Sequence, residues 1–191
     1  MVVRNSTGPR LASLAAAGIL AFSACRYARR EAAREARPEP ISDGNVAAIF
    51  LAANNTDISY AQIALAPGRT TTPAIVAFAH RMLDDHSGLT LAATQVLAKT
   101  NIIAEDNVIS LNFRDESAAK RDTLRELTGG VFDSAYIANE VRYHTKLLGA
   151  LDSLLVPAAR NADLKSLLVG VRPAVAAHLE HAERVQAGLR K

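Results

Sequence analysis

The amino-acid sequence predicts an all-α protein whose main domain is a four-helix bundle. Of the 191 residues 49% are apolar, aromatic residues make up only 5%, and tryptophan is absent. Alanine and leucine dominate long segments in which apolar residues recur every three or four positions, a spacing typical of amphipathic helices. Glycine and proline lie mostly between these segments, which indicates where one helix ends and the next begins.

Residues 1–24 have the composition of an export signal. Two arginines precede an apolar stretch, 11–22, which is too short to span a membrane as a helix. The small residues that lead to Cys25 resemble the lipobox of bacterial lipoproteins, in which the cysteine is lipidated, although Phe22 stands where leucine is usual. Lipidation accounts for a lone exported cysteine. An ordinary secretory signal cut near Ala24 and an uncleaved anchor are the alternatives.

The excess of basic charge lies next to this signal. Residues 25–41 are rich in arginine, alanine and glutamate, have no apolar face, and are interpreted as a charged tether. From Asp43 onward fifteen basic residues face sixteen acidic ones, and no nucleic-acid-binding motif is found. We therefore expect no nucleic-acid partner. We expect lipid on Cys25 to hold the protein at the periplasmic face of the outer membrane.

Caps and helix breakers divide residues 42–191 into four long helices and one short helix. Ser42 is a good N-cap, and a proline at position 73 suits the first turn of the second helix. A weakly alternating piece at 108–113 could be extended. Two short connections and one long crossover, between the second and third long helices, are typical of the ferritin-like arrangement; an up-down bundle with a decorated loop is the alternative. The predicted helical ranges are 43–66, 73–100, 117–128, 131–155 and 161–189.

Each long helix carries an apolar stripe that a single ionisable residue interrupts near the middle of the helix. Mid-helix positions of antiparallel neighbours share one level in a bundle, so we expect these side chains to converge in the core. The four residues are Asp57, His86, His144 and His178.

Burying these groups costs several kcal/mol unless each one is paired. Neutral imidazoles and a carboxylate suit one transition-metal ion such as Fe, Mn, Zn or Cu, so we predict a metal site. Glu140 and His181 are additional candidate ligands, and Tyr60 and Tyr136 are expected to support the ligands from outside. A buried hydrogen-bond network that fixes helix register is the alternative.

The remaining polar residues point to no other site. His80 and Asp84 are spaced as a surface helix pair, and Asp85 is expected to point away from the apolar stripe into solvent. The sequence contains no glycine-rich phosphate loop, no nucleophile elbow and no cysteine-based zinc pattern.

Three segments also resemble a known family. They are FAHRMLDDH at 78–86, Phe132-Asp133 followed by Tyr136 and His144, and Pro173 followed by His178-Leu179. In this order and spacing, over about residues 43–190, they resemble the domain of unknown function 4142 family. The resemblance implies a ferritin-like helical bundle in an exported bacterial protein, often described as an outer-membrane protein, and implies no established activity.

Carried over position by position, the family pattern falls on His86, Asp133, Tyr136, His144 and His178. Asp57 stands where glutamate is expected more often, and its shorter side chain reaches less far into the core. The chain also lacks the paired Glu-x-x-His motifs of di-iron ferritin-like proteins, so a ferritin or di-iron oxidase fails on ligand count.

These observations predict a cell-envelope lipoprotein with a non-enzymatic binding or stress-type role and a metal site in its helical core. A metal-dependent oxidoreductase built on the same core is the rival from another class. It would need an open coordination position and a route for substrate. A purely structural bundle that meets partners through its crossover is the third alternative.

Overall fold

The computed structural model describes residues 40–190, which form five helices and no β-strand. The all-α fold class is therefore confirmed. The predicted export signal, Cys25 and the predicted tether up to residue 39 lie outside the described residues. Within the described range, no helix is both long enough and apolar enough to cross a membrane.

The first helix, α1, covers Asp43–Ala64 and is buried on almost every side. Ser42 and Asn45 form a reciprocal cap, since the Ser42 Oγ accepts from the Asn45 N–H and the Asn45 Oδ1 accepts from the Ser42 N–H. Because α1 has apolar residues around most of its circumference, other helices must cover it on several faces. It packs against α2 (Pro73–Thr100) and against α3 (Val108–Arg125).

The crossover helix α3 is longer than predicted. The structure has a helix from Val108 to Arg125, whereas we expected a helix over 117–128 and allowed an extended piece at 108–113. Asn107 caps its start by accepting from the N–H groups of Ile109 and Ser110. The prediction was wrong because two of the positions that α3 buries are serines, which hide the helical period in the sequence. Its buried residues are Ser110, Phe113, Ser117 and Leu124.

Gly129 and Gly130, which fall between the predicted helices 117–128 and 131–155, are instead the first residues of the next helix, α4 (Gly129–Ala150). Gly129 has a φ of 58°, and its N–H donates to the Arg69 carbonyl oxygen at 2.8 Å. The helix continues through a π-helical turn, Leu151–Leu155, and ends after Val156–Ala158. Pro157 has no N–H for the carbonyl four residues earlier, so a regular α pattern cannot continue there.

The last helix, α5, covers Ala162–Leu189 and is capped by Asn161. It packs against both α4 and α2, while α1 and α4 approach each other more loosely. One apolar core joins residues of all five helices. That core is not uniformly apolar, because Asp57, His86 and His144 lie fully buried inside it.

Candidate metal centre

Four helices each bring one ionisable side chain to a common point in the core. One suitable nitrogen from each of His86, His144 and His178 lies within 4.8 Å of the other two. The Asp57 Oδ2 lies 2.6 Å from the Nε2 of His86 and 3.3 Å from the Nε2 of His144. All four residues are at most 1% exposed. The centre is therefore a compact group of three imidazoles and one carboxylate, contributed by α1, α2, α4 and α5.

The ring of His86 is oriented by Asn54, one turn before Asp57 on α1. The Asn54 amide nitrogen donates to the Phe50 carbonyl at 2.8 Å, which turns its Oδ1 towards His86. His86 Nδ1 lies 2.9 Å from that oxygen and therefore carries the proton. In the neutral ring the lone pair is then on Nε2, which faces the centre.

The ring of His144 also carries its proton on Nδ1, but a different acceptor fixes this tautomer. Its Nδ1 donates to the main-chain carbonyl of Glu140, one helical turn earlier, at 3.0 Å. The Nε2 of His144 is left facing Asp57 without a hydrogen-bond partner within residues 40–190. The helix α4 itself therefore fixes which nitrogen of His144 can bind a metal ion.

His178 is held from outside by Asp85. Its Nε2 donates to the Asp85 Oδ2 at 2.8 Å, and its Nδ1 is buried with no partner in the described part of the chain. Burial lowers the pKa of His178 to about 4, although its hydrogen bond to Asp85 opposes this shift. At neutral pH the ring is therefore uncharged, and Nδ1 has a free lone pair.

These three ring orientations bring nitrogen lone pairs and a negative charge together at the centre. Each imidazole uses one nitrogen for an outer acceptor, and His86 and His144 direct the other one at Asp57, whose Oδ2 lies 2.6 Å and 3.3 Å from their Nε2 atoms. Lone pairs and a carboxylate oxygen repel one another at these distances unless a positive charge lies between them. That charge can be a proton on a ring or a metal ion. The donor set fits a metal ion, since three nitrogens and one carboxylate oxygen are ordinary ligands of Zn, Fe, Mn and Cu.

Asp57 is ionised in this environment. Burial by itself would raise its pKa, but positive charge on the adjacent rings of His86 and His144, and hydrogen bonds from those rings, outweigh that effect and hold the pKa of Asp57 well below its usual range. The carboxylate therefore provides a fixed negative charge at the point where the four helices meet.

A second carboxyl group lies on the other side of Asp57. One ligand-capable atom from each of Asp57, Glu140 and His144 lies within 4.8 Å of the other two. Burial and the charge of Asp57 raise the pKa of Glu140 well above its usual range, so Glu140 keeps its proton to higher pH than Asp57 does. Burial and the two carboxyl groups also raise the pKa of Tyr136, whose buried hydroxyl has no partner among residues 40–190.

Three predicted participants lie elsewhere. His181 packs its ring against Phe78 with centroids 5.1 Å apart and belongs to neither potential ligand group among the described residues. Tyr60 contacts Tyr143, which separates it from the histidines. Asp133 accepts a hydrogen bond from the Thr72 hydroxyl and ties the start of α4 to the turn before α2.

Sequence reasoning missed three residues at the centre. Asn54 precedes Asp57 by three positions and so shares its face of α1, which was a usable signal. Tyr143 packs its ring against His144 and donates to the Ala53 carbonyl at 2.6 Å. Asp85 was expected in solvent, but its carboxylate contacts His178 on another helix, which no spacing within α2 could indicate.

A surface pocket of about 330 Å³ lies beyond Tyr143, between α3 and α4. Asn139, which precedes Glu140, lines it together with Tyr60 and Tyr143. Three cationic side chains and one carboxylate complete most of the polar lining: Lys120, Arg142, Lys146 and Glu116. This side of the centre therefore faces a positively charged pocket.

The fold and the site together define an all-helical protein with a buried histidine and carboxylate cluster. The sequence profile of a family described as a domain of unknown function, DUF4142, matches residues 28–185. The chain belongs to the DUF4142 family, as its motifs indicated. No curated protein and no solved structure matched the chain.

Proposed function

We propose that this protein binds one transition-metal ion at Asp57, His86, His144 and His178, and that it does so as a binding or stress-type protein of the cell envelope. The observation that carries the proposal is the orientation of the three rings. Each ring has its outer nitrogen held by a fixed acceptor, and the Nε2 atoms of His86 and His144 face the carboxylate of Asp57. Such outer contacts fix the tautomer that a metal ligand needs.

The dimensions of the centre are compatible with coordination after a small contraction. Ligand atoms in a tetrahedral zinc site are about 3.4 Å apart, given bonds of about 2.0–2.1 Å. One nitrogen from each of the three rings lies within 4.8 Å of the other two. Ring movements of about one ångström would bring them to bonding distance, which side chains make without backbone change.

A non-enzymatic role is favoured because the centre is closed. All four ligand candidates are almost fully buried, and catalysis at a metal needs an open position and a path for substrate. One observation favours the rival, a metal-dependent oxidoreductase of ferritin-like type: Glu140 and Tyr136 lie beside the centre without hydrogen-bond partners inside residues 40–190. Redox turnover of the metal-loaded protein in air separates the two roles.

We also propose a four-helix, ferritin-like arrangement for α1, α2, α4 and α5. The contacts α1 with α2, α2 with α5 and α5 with α4 support it, because the chain passes from α2 to α4 by a long crossover that contains α3. A crossover of that length lets the second and third long helices run in the same direction.

The cellular location is proposed from the sequence. The lipobox-like segment before Cys25 and the adjacent basic residues support an envelope lipoprotein, at the periplasmic face of the outer membrane. Replacing Cys25 with serine should abolish processing that is sensitive to globomycin. Unchanged processing of Cys25→Ser would contradict the assignment.

Metal analysis of the purified domain tests the main proposal. The protein is stripped with a chelator, reconstituted separately with Fe, Mn, Zn and Cu, dialysed and analysed for bound metal. We expect one ion per chain with at least one of these metals. The double variant His86→Ala, His144→Ala should bind none, and His80→Ala, which alters an exposed histidine on the same helix, should bind as the parent does.

Asp57→Asn keeps the proposal testable if the double variant does not fold, because it preserves the shape of the side chain. A parent protein that retains none of the four metals would refute the metal site. The Asp57 and histidine cluster would then act as a hydrogen-bond network that holds the helices in register.

A further inference from the structure

On one side of the buried centre, a hydrogen bond links a buried histidine to a partly exposed carboxylate. It runs from His178 to Asp85, whose side chain is 38% exposed. We propose that Asp85 and His178 form the surface site that captures an incoming divalent transition-metal ion and passes it to the buried centre. This inference rests on the metal-binding function proposed above.

The carboxylate of Asp85 is suited to receive a cation from water. Its Oδ2 accepts from both His178 Nε2, at 2.8 Å, and Arg81 Nε, at 3.0 Å. Its Oδ1 has no hydrogen-bond partner within residues 40–190, so one oxygen is available to an approaching ion. An adjacent carboxylate, Asp84, is exposed on the same helix and adds to the negative potential.

His178 links this surface to the interior through its two nitrogens. Nε2 contacts Asp85 at the boundary, while Nδ1 points into the cluster and lacks a partner in the described range. The side chain is only 2% exposed, so it separates the centre from water. An ion held at Asp85 is therefore one side chain away from the nitrogens of His86 and His144, and a rotation of the His178 ring opens the way.

The opposite side of the centre does not offer a comparable path to a cation. There the pocket beyond Tyr143 is lined by Lys120, Arg142 and Lys146, with Glu116 as the one acidic side chain among its lining residues. A cation that approaches this pocket meets a repulsive potential, and it must also lose its water beside the tyrosine rings. The charges on the two sides thus favour uptake at Asp85.

Arg81 sets how readily the site accepts an ion. Its guanidinium pairs with the same oxygen of Asp85 that contacts His178, and it is 59% exposed. An incoming cation must compete with this positive charge. Removing the charge at Arg81 should accelerate uptake, whereas removing the charge at Asp85 should slow it.

Rapid-mixing kinetics on the metal-stripped mature protein test the proposal, with Co²⁺ alone as the probe and its absorbance as the readout. We expect Asp85→Asn to lower the second-order rate of uptake by about tenfold. Arg81→Gln should raise the rate by about threefold. Asp84→Asn, a neighbouring exposed carboxylate that does not touch His178, is the matched control and should stay within about twofold of the parent.

The dependence on salt gives a second measurement that does not rely on absolute rates. Uptake by the parent should slow as ionic strength rises, and uptake by Asp85→Asn should respond less, because the attracting charge is gone. Equal rates for the parent and Asp85→Asn would overturn the proposal. So would faster uptake by Arg142→Gln, since that result would assign the route to the pocket beyond Tyr143. A parent that takes up no metal would instead refute the proposed function.

Discussion

The two sides of the buried centre differ in charge and in their contact with water. On one side His178 leads to the exposed carboxylate of Asp85. On the other side Glu140 is buried and its pKa is raised, and beyond it lies a pocket with an excess of positive charge. The same cluster is therefore linked to solvent by the carboxylate of Asp85 on one side and bounded by the buried carboxyl group of Glu140 on the other.

This difference shows how environment divides the tasks of similar side chains. Asp57 and Glu140 are both fully buried carboxyl groups, yet the pKa of Asp57 is lowered and the pKa of Glu140 is raised. Burial acts on both in the same direction, so the difference comes from their neighbours. Asp57 lies against two imidazoles, and Glu140 lies against the negative charge of Asp57.

Of the changes considered, removal of the Asp57 charge, which lies between the two sides of the centre, should lower metal affinity the most. Asp57→Asn leaves the three inward nitrogens without their anionic partner, so metal affinity should fall by about a thousandfold. Equilibrium dialysis against a competing chelator measures the change. An affinity within tenfold of the parent would mean that Asp57 is not a ligand and that the two sides are not joined through it.

The Asp85 side should make the metal-free protein sensitive to acid. The pKa of His178 is lowered from 6.5 to about 4 in the folded state, so the unfolded chain binds more protons between these values. Its contribution to stability is present above pH 6.5 and is lost as pH falls towards 4, by roughly 3 kcal/mol. Urea unfolding at several pH values should show this slope, and His178→Gln should flatten it.

The Glu140 side should respond to pH in the opposite direction. Because the pKa of Glu140 is raised, the unfolded chain releases a proton that the folded chain keeps, and stability falls as pH rises above the usual glutamate range. Glu140→Gln mimics the protonated form and should stabilise the metal-free protein by about 1–2 kcal/mol at about pH 8. Glu183→Gln, on an exposed position of α5, is the control and should leave stability unchanged.

Loss of a surface ion pair that contacts neither side of the centre should have the smallest effect on stability and metal affinity. Arg172 binds Asp152 through two hydrogen bonds of 2.6 and 2.7 Å, but both side chains are nearly half exposed. Solvent screens such pairs, so Asp152→Asn should change neither the unfolding midpoint nor metal affinity measurably. A clear decrease in the unfolding midpoint or in metal affinity would show that charges far from the centre influence these quantities as well as the local contacts do.

Most helix boundaries could be predicted from local signals. Ser42, Pro73 and Asn161 act at the starts of their helices by capping or by a preset backbone angle, which depends on neighbours in the sequence. The start of α3 was missed because burying Ser110 and Ser117 is a tertiary effect. Ser117 lies against Thr56 of α1, whose hydroxyl donates to it at 3.0 Å.

The candidate site divides in the same way. The interruption of four apolar stripes identified Asp57, His86, His144 and His178 in the sequence, because polar residues at buried positions stand out against a regular period. Asp85 and Tyr143 did not stand out, since their roles depend on contacts with His178 and Ala53 of other helices. His181 carried a suitable chemical group but faces Phe78 instead of the cluster.

The sequence by itself determined the all-α class, the four long helices and the one ionisable residue at the middle of each. These follow from periodicity, capping and breaker residues, which act within a few positions along the chain. Only the tertiary structure decided which nitrogen of each histidine faces inward, which carboxyl group keeps its charge, and where the centre meets water. Those properties depend on distances between helices, and electrostatic interactions in a dry core change steeply over a few ångströms.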